Sequence, residues 1–148
     1  MLNESINTVK LHFNRASNYY NEVLGYTLSE EIFEDKDKVK TIDAFIFRFI
    51  KLQDFMSEKL FRRFLESVGE YKDSMSLLDV LDKLEKLEII DNADLWIVLR
   101  KLRNQLTHEY PDNQQEMLAG IEMAVGYFES IGQILKTIIT YSQNNKLV

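Results

Sequence analysis

The sequence predicts an all-α chain, an antiparallel bundle of four to five helices, and three observations carry that reading. Five glycines and one proline among 148 residues amount to about 4% of the chain, against roughly 12% in ordinary globular proteins. Turns must therefore be few and helices long. Apolar residues recur at spacings of three and four along most of the chain, the period of one helix face. No stretch alternates as a strand would, and no repeat or low-complexity block breaks the pattern.

The first helix is expected from Asn3 to about Leu24, with Ile6, Val9, Phe13, Ala16, Tyr20 and Leu24 on one stripe and Gly25 as its stop. The polar stretch from Ser29 to Lys40 reads as a connection and the start of the next helix. Ile42, Phe45, Ile46, Phe49, Leu52, Met56, Leu60 and Phe64 then trace a long central helix ending near Gly69. A third begins with Ser76 and Asp79 in capping-box spacing, carries Leu77, Leu78, Leu81 and Leu84, and closes at Ile89 and Ile90. Asn92 caps a fourth that carries Leu95, Val98, Leu99, Leu102 and Leu106. It should stop near Glu109, because Pro111 disfavours helical backbone at Tyr110. Asp112 or Asn113 caps the fifth, whose stripe is Met117, Ile121, Ala124, Phe128, Ile131, Leu135 and Ile138, before residues 142–148 fray. Glycines 120, 126 and 132 share no face and are weak evidence for close helix packing.

A mass of 17.5 kDa suits a single helical domain over residues 1–148. The absence of cysteine excludes disulfides, a thiol nucleophile and a cysteine-ligated zinc, and points to a reducing, cytoplasmic setting. Eighteen basic against 24 acidic residues leave a net charge of −6, so a polyanion would need a local basic patch. The polar N-terminus lacks the apolar core of a signal peptide, and no run approaches the ~18 apolar residues of a membrane span. Asp43, Arg48, Lys51 and Asp54 interrupt the richest apolar stretch.

Most polar and aromatic features have an ordinary reading. Phe45, Phe47, Phe49, Phe55, Phe61 and Phe64 suit a core or an interface better than a platform for bases. His12 is expected on an exposed face near Asn14 and Arg15, without a partner, and Lys59, Arg62 and Arg63 form a basic turn of solvated cations. The segment RKLRNQLTHEYP, from Arg100 to Pro111, differs because it gathers chemically capable side chains at one helix end. Histidine in a final turn sits at the negative end of the helix dipole, which favours imidazolium and readies His108 to donate a proton. Arg100, Lys101 and Arg103 form a cluster that a phosphate could occupy. On an ideal helix Arg103 and His108 stand about 140° apart with roughly 7.5 Å of rise. Either His108 leaves the helical path before Pro111, or arginine and histidine from two chains meet across a symmetric interface.

Arg103, Asn104 and His108 resemble the signature of the HEPN family, an arginine and a polar residue followed by a histidine four to six residues after the arginine. Tyr110, two residues after the histidine, resembles the HepT-like branch, the toxins paired with small MNT-type nucleotidyltransferase antitoxins. The resemblance implies a metal-independent ribonuclease, a homodimer with two motifs facing each other across a cleft, needing no cofactor. It implies attack of the ribose 2′-hydroxyl on the adjacent phosphate, with His108 moving protons and Arg103 offsetting phosphate charge. Asn104 would orient one of them, and Tyr110 would be adenylylated by the partner enzyme. No His/Asp/Glu cluster shows metal-ligand spacing. A second implied role is a noncatalytic companion that binds nucleotide or substrate for a nucleotidyltransferase. The plainest alternative has Arg103 and His108 pairing with Glu109 or capping their helix.

Overall fold

A computed structural model of the chain describes residues 1–107 and 113–148. Every regular element among them is helical: α1 (Leu2–Leu24), a 3₁₀ turn (Glu30–Glu34), α2 (Lys36–Phe55), a π turn (Met56–Leu60), α3 (Phe61–Ser67), α4 (Leu77–Lys86), α5 (Ala93–Thr107) and α6 (Gln114–Asn144). No described helix is long and apolar enough to cross a membrane.

Four of the helix starts follow from their cap residues, and at α5 the expected cap Asn92 accepts from the N–H of Asp94 at 2.8 Å. Asp35 accepts from the backbone N–H groups of Asp37 and Lys38, and Ser76 and Asp79 close a complete capping box. At the start of α6 the cap is Asn113, whose side chain accepts from the N–H of Glu116 at 3.1 Å. Asp112, the other expected cap, and the expected stop of α5 near Glu109 lie outside the described residues.

The pairing of side chains gives the directions. Ser5, His12 and Tyr20 of α1 meet Arg63, Phe55 and Phe45 in turn, so α1 runs against the α2–α3 rod. Trp96 meets Phe61 and Ser57 while Arg103 reaches back to Asp54, so α5 also runs against α2. Phe128 packs on Phe45 and Tyr141 on Phe64, which sets α6 parallel to α2. The four long rods α1, α2–α3, α5 and α6 thus close around one core, antiparallel except for the contact of α2 with α6, and α4 packs against α3 and α5.

The π turn has a sequence-level cause. Beyond Phe49 the buried positions advance in pairs, 52/53, 56/57, 60/61 and 64/65, in steps of four. Each step overshoots an ideal α-helical face by about 40°. A turn with more residues holds the stripe in line, so α2 and α3 keep one face on the core. Gln53, just before that turn, is buried, and its amide nitrogen and oxygen have no hydrogen-bond partner among the described residues.

Several expectations are corrected. The C-terminus does not fray from residue 142: α6 runs to Asn144, Ser142 is buried, and Leu147 N–H closes back on the Ser142 carbonyl at 2.9 Å. Leu147 packs on the core, a tertiary contact that a polar tail conceals. Arg62 and Arg63 are not idle surface cations, since Arg62 donates to the Tyr71 hydroxyl and the Met75 carbonyl and Arg63 donates to Ser5. Phe47, expected in a core or an interface, is 52% exposed and lies outside the core.

Two of the three glycines in α6 do serve close approach. A Cβ at Gly132 would stand 2.9 Å from the Phe13 ring and one at Gly120 would stand 3.1 Å from Leu106, whereas at Gly126 nothing lies within 4 Å. Gly126→Ala should therefore stabilise the protein by about 0.5–1 kcal/mol through lost backbone entropy of the unfolded chain. Gly132→Ala should destabilise it, because Phe13 stacks on Phe128 and must shift. Urea unfolding of the two variants checks the pair, and equal effects would contradict this packing.

Candidate functional site

The site is built on the last two turns of α5 and the end of α2. Arg100 and Arg103, three residues apart, share a helix face and both turn toward α2. There Asp54 accepts from Arg103 Nε at 2.7 Å on Oδ1, from Arg103 Nη2 at 2.7 Å on Oδ2, and from Arg100 Nη1 at 2.9 Å on Oδ1. The Arg103 contact is a two-pronged carboxylate–guanidinium pair, the geometry that fixes a guanidinium plane most firmly. Side-chain exposure of 25% for each arginine and 22% for the aspartate puts the cluster at the edge of the bundle, partly shielded from water.

Charge and hydrogen bonding agree in direction. Burial pushes the Asp54 carboxyl up, but hydrogen bonds and positive charge from Arg103 and then Arg100 outweigh it and hold the group below the usual carboxylate range. The hydrogen bond to Asp54 in turn raises Arg103, against the opposing effect of burial, with added support from the charges of Asp54 and Glu58. Two guanidiniums share the one Asp54 carboxylate, with the Glu58 carboxylate acting on Arg103 from nearby.

Arg103 keeps a free edge. Its Nη1 donates to Asn104 Oδ1 at 3.3 Å. With Nε and Nη2 on Asp54, two of the five guanidinium N–H groups have no hydrogen bond among the described residues. Asn104 is exposed, and just beyond it Thr107 Oγ1 donates to the Asn104 carbonyl at 2.8 Å, satisfying part of the helix end.

Arg100, Arg103 and Asn104 are thus brought together, whereas Lys101 is not. It is exposed and lies about 200° around the helix from Arg103. His108, Glu109 and Tyr110 lie outside the described residues. Among the described residues the carboxylate partner of Arg103 is Asp54, on α2. Asp54 and its neighbour Ser57, which accepts from Trp96 Nε1 at 2.9 Å, are the residues that sequence reasoning missed. The signal for Asp54 was a carboxylate set inside the richest apolar stretch. Among the described residues no group of three or more His, Asp or Glu side chains comes together as a metal would require.

The folded-state pKa of Asp54 lies below its unfolded value near 3.9. The stabilisation it contributes is therefore complete above the unfolded value and is lost as pH falls through the folded one. Urea unfolding between pH 7 and pH 3 should show this acid limb in the wild type and a shallower one in Asp54→Asn. At pH 7 the substitution should cost about 1–2 kcal/mol, between an exposed and a fully buried pair. Equal slopes would mean that the cluster does not contribute to folding.

Compared with protein-family models, curated proteins and solved structures, the chain finds no match.

Proposed function

We propose that this chain is a HepT-like HEPN endoribonuclease, a cytoplasmic toxin that cuts RNA without a metal as a homodimer and is restrained by an MNT-type nucleotidyltransferase antitoxin. The observation that carries the reading is the clamp of Asp54 on Arg103. It holds the motif arginine at the end of α5 while two of its N–H groups beside Asn104 have no hydrogen bond among the described residues. The all-helical bundle and the motif RNQLTHEY support the same reading.

In this mechanism a base removes the proton from a ribose 2′-hydroxyl, whose oxygen attacks the adjacent phosphorus. The bond from phosphorus to the 5′-oxygen breaks, and an acid returns a proton to that oxygen. The products are a 2′,3′-cyclic phosphate and a free 5′-hydroxyl. His108 takes part in proton transfer, and the free edge of Arg103 stabilises the added charge on the pentacoordinate phosphate. A guanidinium already oriented by Asp54 needs little rearrangement as that charge develops. Adenylylation of Tyr110 would add a negative phosphate two residues from His108 and compete with RNA for the same cation.

A second reading, a noncatalytic companion that binds nucleotide or substrate for a nucleotidyltransferase, draws on one observation: Asp54 already neutralises part of the Arg100 and Arg103 charge. It predicts bound nucleotide and intact RNA.

Incubation of mixed RNA in EDTA should yield fragments ending in cyclic phosphate, and a 2′-deoxy substitution at the cut position should block that cut. His108→Ala should lower the rate by roughly 10² or more, with the wild type sedimenting as a dimer. Cleavage lost on chelation, products ending in a 3′-hydroxyl, or an unimpaired His108→Ala would contradict the proposal.

A further inference from the structure

Where α5 reaches the end of α2 at Asp54, α1 reaches it one residue later, at Phe55. The His12 ring lies 5.5 Å from the Phe55 ring. His12 is half-buried there, not on an open face as its polar sequence neighbours suggest, and its Nδ1 is buried with no hydrogen bond among the described residues. Because α1 and α2 are antiparallel, Arg15, one turn after His12, lies alongside the turns of α2 that precede Phe55. Those turns carry Lys51 and Arg48. Phe47, 52% exposed, has the Arg48 guanidinium 5.3 Å and the Lys51 ammonium 5.5 Å from its ring centre.

The charge balance here is opposite to that of the whole chain. Acidic residues outnumber basic ones by 24 to 18, yet among the described residues none of Arg15, Arg48 and Lys51 forms an ion pair with a carboxylate. Their convergence is felt at His12, which is held below the usual histidine range first by burial and then by the charges of Arg15, Arg48 and Lys51. Cations that converge with no carboxylate paired to them among the described residues repel one another. A polyanion relieves that repulsion. An exposed phenyl ring beside two of those cations adds a surface for stacking with an unpaired base, which duplex nucleic acid does not offer.

We propose that the α1–α2 groove binds single-stranded RNA, with phosphates on Arg15, Arg48 and Lys51 and a base stacked on Phe47. The choice of RNA rests on the ribonuclease reading, whereas the groove itself does not. Lys51 stands three residues before Asp54 on α2 and so shares its face. A strand seated on Lys51 continues toward the clamped Arg103. The groove then supplies the local attraction that a chain of net charge −6 lacks overall.

The test is fluorescence anisotropy with a labelled 2′-O-methyl oligouridylate, which cannot be cut through its 2′ position, in EDTA. The triple variant Arg15→Gln/Arg48→Gln/Lys51→Gln should bind at least tenfold more weakly. Its log Kd should depend on log salt with a slope smaller by about two, at roughly 0.7 per phosphate contact. Phe47→Ala should weaken binding by roughly tenfold. A control triple variant, Lys86→Gln/Lys136→Gln/Lys146→Gln, makes the same change in net charge at scattered exposed positions and should keep wild-type affinity. Circular dichroism establishes that each variant is folded. Equal affinity of the groove variant and the wild type, equal losses in both triple variants, or a groove that ignores RNA and binds polyglutamate would overturn the proposal. The two readings fail separately. RNA held through the groove but never cut supports the groove and overturns the ribonuclease reading, while RNA cut and bound unchanged by the groove variant overturns the groove alone.

Discussion

Asp54 accepts three hydrogen bonds from two arginines that lie 46 and 49 residues further along the chain, and both the packing of α5 on α2 and the aim of Arg103 depend on it. A guanidinium on a flexible stem samples many rotamers in water. Gripped on two prongs, it presents one edge to the carboxylate and the other to whatever approaches. The grip also has a cost, because it removes part of the positive charge that an anionic substrate would meet. Arg100 offsets part of that loss by sharing the same carboxylate. One aspartate therefore orients the arginine without abolishing the local field.

The clamp works only if α2 delivers Asp54 to the right place, and the π turn that follows it is part of that delivery. Paired buried positions in steps of four hold one face of the α2–α3 rod on the core only if a turn is widened. Just before that turn, Leu52 and Gln53 are buried, Asp54 meets α5, and Phe55 meets His12 of α1. On the far side Ser57 accepts from Trp96. The end of α2 is thus the junction at which α1 and α5 are both held, and the arginine cluster and the basic groove lie on its two flanks. The buried amide of Gln53, with no hydrogen-bond partner among the described residues, lies at that same junction.

The sequence made the bundle legible because its helices carry their own signals. Six of the seven stripe residues expected in α6, from Ile121 to Ile138, are buried, with Met117 only partly so. Ser76 and Asp79 close the capping box that their spacing announces. Positions 103 and 104 stand out as an arginine and a polar residue at a helix end. What was not legible depends on distant parts of the chain. Asp54 reads as an interruption until α5 is laid beside it, His12 reads as exposed until Phe55 covers its ring, and the polar tail reads as frayed until Leu147 finds the core. The π turn escaped because steps of four look helical in any short window and betray their drift only over several turns.

The central claim is that Asp54 acts through Arg103, and a double-mutant cycle on Asp54→Asn and Arg103→Gln measures it, read out both as urea stability and as the rate of RNA cleavage. If the aspartate serves to orient the arginine, the double variant should lose little more than the worse single variant, with a coupling of about 1 kcal/mol or more in each readout. Losses that simply add, in stability and in rate alike, would show that the two residues act independently and would contradict the account.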